Sequence, residues 1–120
     1  KGADQIWVGT SKGNLLTFNT KTGKFDASGA IWNLSGSWIT DIDYFSNQTW
    51  VATDSGIHLI NEESATSKQL NQANSKISSN FVSDLHSDQE AIWVGTALGL
   101  NFLSLSTFEK FQNENSAVFT

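Results

Sequence analysis

Three tryptophans, Trp7, Trp50 and Trp93, stand 43 residues apart both times, each inside a nearly repeated phrase. The phrases read IWVGTSKGN from Ile6, TWVATDSGI from Thr49 and IWVGTALGL from Ile92. At the same step Val8, Val51 and Val94 coincide, as do Thr10, Thr53 and Thr96, and Gly13, Gly56 and Gly99. Ahead of the second and third tryptophans, SWITDI (Ser37 to Ile42) overlays NFVSDL (Asn80 to Leu85), with Asp41 on Asp84. The overlay needs no gap. A fixed step of about 40 to 45 residues is the length of one four-stranded blade of a β-propeller, a fold built by radial repetition of small antiparallel sheets.

Each repeat parses into short strands. QIWVGT is rich in β-branched and aromatic residues, and the Gly that follows two residues after its Thr reads as a tight hairpin with positive φ. NLLTFN, IHLIN and LNFLSL are the partner strands, and outer strands are expected around Lys24–Phe25, Ser67–Leu70 and Phe108–Phe111. WITDIDYF and FVSDLHS open new blades as their innermost strands, and the Ser/Asn-rich NQANSKISSN (Asn71 to Asn80) is a connection. No apolar period of 3.6 persists over eleven or more positions. The expected fold class is all-β: a partial β-propeller of about three four-stranded antiparallel blades. A partial first blade spans 1–36, a second 37–79 and a third 80–114, and SAVFT within 115–120 resembles the start of a further strand.

The chain opens on Lys1 and has no methionine among its 120 residues, so it is expected to be a segment of a larger protein. Three blades fall short of the four to eight or so that close a ring. Self-association is therefore expected, a dimer in which two chains complete each other's blades and the tail strand completes the partner's first blade. A net charge of −5 argues against nucleic acid or an anionic membrane surface as partner. With no cysteine, disulfides, thiolate metal sites and a cysteine nucleophile are excluded. No apolar run reaches the ~18–20 residues of a membrane span, so direct membrane contact is not expected of this segment.

ISSNFVSDLHSDQEAIWVGTALGL, from Ile77 to Leu100, resembles the two-component regulator propeller repeat, whose usual spelling has an SSN opening, V and I on the first strand, D before a turn, then LW(I/V)GT and GL. FNTKTGKF (Phe18 to Phe25) resembles the same family's F-D-x-x-T-G-x-F. The resemblance runs over essentially the whole chain in three copies. The family's turn glycine before the tryptophan strand is absent, and Ala52 replaces the WVGT glycine in the middle repeat. Such repeats form the extracytoplasmic sensor portion of bacterial membrane signalling proteins. Their cytoplasmic output module is commonly a histidine kinase, often a hybrid one, or a GGDEF diguanylate cyclase. The resemblance therefore implies a periplasmic, non-catalytic sensor that binds a ligand, carbohydrate breakdown products being frequent ones, and signals to a cytoplasmic module. The alternative is a propeller lectin or protein-interaction scaffold without signalling output.

The residues themselves carry no catalytic motif: G-x-S-x-G, GxxxxGK[ST] and H-E-x-x-H are all missing. His58 and His86 fall in different blades and read as strand surface residues. Asp41 and Asp43 share a strand face but lack a ligand-rich loop, so no metal or other cofactor is expected. The tryptophans recur because each blade needs a large side chain against its neighbour, and Asp41 and Asp84 are expected to accept backbone N–H groups between strands. Residues that break the repeat are better site candidates. Trp32 overlays Ser75 and Val118, and Tyr44 overlays Ser87, so neither is demanded by the blade; these two are the candidate ligand-binding residues. Trp38 overlays Phe81 and is expected in the core. Asn33 and Asn47 lie in N-x-[ST] sequons, which carry little meaning in a bacterial protein.

Overall fold

Alternating apolar residues on the WVGT strands pair across short turns into three antiparallel sheets. The computed structural model describes residues 5–25, 32–34, 37–61 and 66–112, with the side chains at 32, 33 and 110–112 left out. In the first sheet β1 (Gln5–Gly9) pairs with β2 (Asn14–Asn19), and β2 with β3 (Lys24–Phe25); the short β4 (Trp32–Asn33) also joins β2, at Asn14 and Leu15. The second sheet is a four-stranded meander, β5 (Ile39–Phe45), β6 (Gln48–Thr53), β7 (Gly56–Asn61) and β8 (Thr66–Leu70). After a single helical turn, α1 (Gln72–Ser75), come β9 (Val82–Ser87), β10 (Ala91–Thr96) and β11 (Gly99–Ser104), and then α2 (Leu105–Gln112). Each tryptophan of the repeat sits in the same strand of its sheet, β1, β6 or β10, and the inner strands β5 and β9 lie side by side. The chain is all-β in architecture, a partial propeller with a 43-residue repeat.

The recurring threonine closes each turn. Thr53 Oγ1 donates to the Gly56 carbonyl at 2.9 Å and accepts the Ser55 N–H at 3.0 Å; Thr96 Oγ1 donates to the Gly99 carbonyl at 2.8 Å and accepts the Leu98 N–H at 3.2 Å. Gly56 holds φ 119°, open to glycine alone, and a Cβ there would strike the Leu70 carbonyl.

Beneath the gapless overlay the first hairpin differs. Thr53 pairs directly with Gly56 and Thr96 with Gly99, but in the first sheet Gly9 pairs with Leu15, so its turn is longer. Trp7 consequently faces Thr17, whereas Trp50 faces Leu59 and Trp93 faces Phe102. A one-residue slip turns every side chain of a strand to its other face. The slip points Leu15 and Thr17 at the second sheet and turns Leu16 and Phe18 to the opposite face.

The apolar interior lies in two layers. Leu15, Leu34, Ile39, Val51 and Ile60, with Trp7 and Ile42 against them, fill the junction between the first and second sheets. Trp50, Ala52, Ile57 and Leu59 of the second sheet meet Leu85, Ile92, Val94 and Leu103 of the third.

Three expectations are corrected. Phe108–Phe111 is part of α2 and not an outer strand. Ser104 Oγ accepts the Thr107 N–H at 3.2 Å at the start of this helix, and Phe108 is fully buried against Trp50, ring centroids 5.1 Å apart. Trp93 is 40% exposed, because its face of the third sheet has no sheet opposite among the described residues, and it stacks on Phe102 instead. Trp38 is 50% exposed and makes an edge contact with Phe81, outside the core, because both precede the strands that form the sheets. The tail at 115–120 lies outside the described residues.

Candidate functional site

β5 and β9 flank β6 and β10 on one edge, but β1 pairs on one side alone among the described residues. Along its other edge runs a cleft of about 300 Å³, lined by Gln5, Ile6 and Trp7 of β1, Ile42, Asp43 and Tyr44 of β5, and Thr49 of β6. The junction of the first two sheets forms its floor.

Two buried polar atoms in this lining lack a hydrogen-bond partner among the described residues: Trp7 Nε1 and Thr49 Oγ1. Such orphans are uncommon in folded proteins and call for an explanation. The repeat supplies one for Trp7. Its counterpart Trp50 donates Nε1–H to the carbonyl of Phe45, at the end of the inner strand, at 3.2 Å. In the first sheet the corresponding position is residue 2, outside the described residues. Trp7, Thr49, Asp43 and Tyr44 thus line one cleft. That set suits a neutral polyhydroxylated or amide-bearing ligand, or an extended backbone.

Tyr44, a candidate from the sequence, lines the cleft and is half exposed; its carbonyl accepts the Ser87 hydroxyl at 3.2 Å, which ties this end of β5 to β9. Trp32 stands elsewhere. Its backbone pairs with Leu15, at the end of β2 that faces Gly9, whereas Tyr44 lies by Gln5 to Trp7 at the opposite end of β1. The side chain of Trp32, like that of Asn33, is outside the described residues. Sequence reasoning missed Gln5 and Thr49, weighed Asp43 only as half of a cation-binding pair with Asp41, and set Trp7 aside as structural. Thr49 overlays Ile6 and Ile92, so a polar residue among apolar counterparts was the available signal.

Asp41 does what the repeat implied. Its Oδ2 accepts the Leu85 N–H of β9 at 2.8 Å and its Oδ1 accepts the Ile42 N–H at 2.9 Å. Burial raises the pKa of its carboxyl above the ordinary carboxylate value, and the neighbouring Asp84 adds to the rise, against the lowering by the Leu85 N–H. His58 lies on β7, facing the first sheet, with Nε2 buried and unpartnered among the described residues; burial lowers its pKa. It is thus less of a surface residue than expected, while His86 on β9 is exposed. The two imidazoles belong to different sheets. Among the described residues no three His, Cys, Asp or Glu side chains are gathered as a metal site would need.

No protein-family profile matches the chain, and no curated protein matches it. Solved structures do. The extracellular domain of a protein assigned as a one-component system in B. thetaiotaomicron superposes with a TM-score of 0.70 at 21% identity, over 82% of this chain and 14% of that one. The extracellular domain of a hybrid two-component system from the same organism gives 0.67 at 19%, over 98% and 16%. The WD40 domain of Neurospora crassa Pan2 gives 0.58 at 15%, over 88% and 34%. The chain thus spans a small part of the length of each, and the likeness establishes the fold. No helix among the described residues is long and apolar enough to cross a membrane.

Proposed function

We propose that this chain is part of the extracytoplasmic sensor of a bacterial transmembrane signalling protein, non-catalytic in itself. It would relay the state of its propeller to a cytoplasmic histidine kinase or diguanylate cyclase module. The observation that supports this most is the superposition of 98% of the chain on the extracellular domain of a hybrid two-component system, together with the repeat spelling from Ile77 to Leu100. The cleft beside β1 is the ligand site in this reading. Tyr44 offers a ring face for stacking on a sugar, and Trp7 and Thr49 bring the polar atoms that lack a described partner. Trp32 is a separate stacking candidate outside this cleft, at the other end of the first sheet.

Two experiments test the reading. Alkaline phosphatase fused after this segment in the full-length protein should be active, as it is when exported; activity of a β-galactosidase fusion instead would end the periplasmic reading. Calorimetric titration with a panel of oligosaccharides should find a binder whose affinity drops roughly 10-fold or more in Tyr44→Ala, the loss of a stacking contact of about 1.4 kcal/mol or more. A scaffold without signalling output is the second reading, and the exposed apolar side chains of the first and third sheets favour it. A full-length protein with no membrane helix or output module would select it.

A further inference from the structure

At the leading ends of β5 and β9 two aromatic side chains stay outside the core. Trp38 and Phe81 occupy the same position of the repeat, each just ahead of its inner strand, with Trp38 50% and Phe81 39% exposed. Their rings meet nearly at right angles, with centroids 6.4 Å apart and planes at 88°. Both stand at the packed junction of β5 with β9, inside the described chain and away from its two end faces. The backbone fixes them there. The Phe81 carbonyl accepts the Ala97 N–H at 3.0 Å and the Trp38 carbonyl accepts the Asp54 N–H at 3.2 Å, so each residue is tied to a hairpin turn of its own sheet.

The turn beside Trp38 departs from the repeat. Asp54 overlays Ser11 and Ala97, so the turn itself does not call for a carboxylate. Its Oδ1 accepts the Trp38 N–H at 3.0 Å and the Ser55 hydroxyl at 3.3 Å, and Ser55 Oγ accepts the Ser37 hydroxyl at 3.2 Å. The third sheet meets the same need without charge: the Phe81 N–H donates to Ser79 Oγ at 3.1 Å, where the overlay places Gly36, which has no hydroxyl. The exchange sets a half-buried carboxylate at the root of the indole side chain. Among the described residues no cation pairs with it, and no donor is found on Oδ2.

We infer that this corner binds a small alkylammonium cation, quaternary ones included, with the aromatic pair against its alkyl groups and the Asp54 carboxylate beside its charge. Ring faces attract cations through their quadrupole, and aromatic cages hold quaternary ammonium groups in this way. The unpaired carboxylate adds a Coulomb attraction that a neutral ligand does not draw on. The site is separate from the cleft beside β1, since Tyr44 stands at the opposite end of β5.

Saturation-transfer NMR on the full-length protein with millimolar choline tests this. Saturation of the protein should reach the choline N-methyl protons, and Trp38→Ala should raise the dissociation constant about 3-fold or more, as the loss of a cation–π contact implies. Trp38→Phe should retain more of the binding, and the third sheet already carries Phe at this position. Asp54→Asn keeps an oxygen for the Trp38 N–H and removes only the charge; it should weaken choline several-fold. The uncharged isostere of choline, with a quaternary carbon in place of the nitrogen, should bind clearly less well. Thermal melting establishes that each variant is folded. Choline that receives no saturation overturns the inference, as does equal binding by the parent protein and Trp38→Ala. An isostere that binds as tightly as choline also overturns it, and marks an apolar patch with no preference for cations.

Discussion

The backbone N–H of Leu85 on β9 donates to the carboxylate of Asp41 on β5 at 2.8 Å, across the junction of two sheets. The other carboxylate oxygen holds the Ile42 N–H of the same strand. One side chain therefore fixes the spacing of two neighbouring inner strands, and Thr40 adds a second link by donating its hydroxyl to the Val82 carbonyl at 2.5 Å. Asp41→Ala leaves two backbone donors without acceptors, at about 1–3 kcal/mol for each that stays dry. A loss of roughly 2–4 kcal/mol in urea-unfolding stability is expected. A loss under about 0.5 kcal/mol would mean that water replaces the carboxylate.

Asp84 is the second carboxylate at this junction and helps to raise the pKa of Asp41. Asp84→Asn removes that like charge and should lower the Asp41 pKa. Burial, which raises the value, is then opposed by the Leu85 and Ile42 N–H groups alone. Carbon-detected NMR titration of the Asp41 carboxyl reads the shift; an unchanged pKa would show that Asp84 contributes nothing to it.

The tryptophans of the repeat are identical in sequence and unequal in surroundings. Trp50 is fully buried against Phe45 and Phe108, whereas Trp93 lies on a face with no sheet opposite among the described residues. Trp50→Ala should cost about 3–5 kcal/mol, as for other buried tryptophans. Trp93→Ala should cost clearly less in dilute solution, about 1 kcal/mol, with the stacking on Phe102 as its main loss. Equal costs in thermal or urea unfolding would show that something covers Trp93.

This inequality marks the limit of what the sequence carries. The repeat gave the strands, the turn threonines, the positive-φ glycines and the inter-sheet role of Asp41, because each follows from local geometry that every copy must satisfy. The slip in the first hairpin was invisible, since one extra residue in a turn leaves the overlay ungapped while rotating β2. The helix at Leu105 was missed because an outer strand was expected from the repeat, although Ser104 followed by Thr107 and Phe108 reads as a helix start on its own. Of the candidate site, Tyr44 was legible as a repeat-breaker. The convergence of Gln5, Asp43 and Thr49 on it depends on which strand lies beside which, and spacing alone does not report that.

Gly9, Ala52 and Gly95 occupy one position of the repeat, and the structure separates them. A Cβ at Gly9 would fall inside the Ile39 side chain, which packs against β1 at the sheet junction. At Gly95 the nearest atom, Asp84 Cβ, would be 3.6 Å away, an ordinary contact, and Ala52 already carries a methyl there. Gly9→Ala should therefore cost about 1–3 kcal/mol through overpacking. Gly95→Ala should be neutral or stabilising by up to about 1 kcal/mol, since it narrows the unfolded ensemble. Urea midpoints of the two variants decide it, and a reversed order would show that the junction at Ile39 yields more easily than the one at Asp84.

His58 gives the fold a defined pH response. Its Nε2 is buried without a partner among the described residues, and burial holds the folded pKa below the ordinary value of about 6.5. Where the folded pKa is depressed, the unfolded chain binds the proton first, so stability falls as pH drops through about 6.5 toward the folded value and is flat above it. Strand pairing sets His58 beside Val51 and Gln69, neither of which carries a charge to offset an imidazolium. The urea midpoint should be constant from about pH 8 to 7 and decline from about pH 6.5 to 5. In His58→Gln the decline over that interval should shrink, leaving only what the carboxylates contribute at its acid end. A variant whose midpoint falls as steeply as that of the parent chain would assign the response to another group.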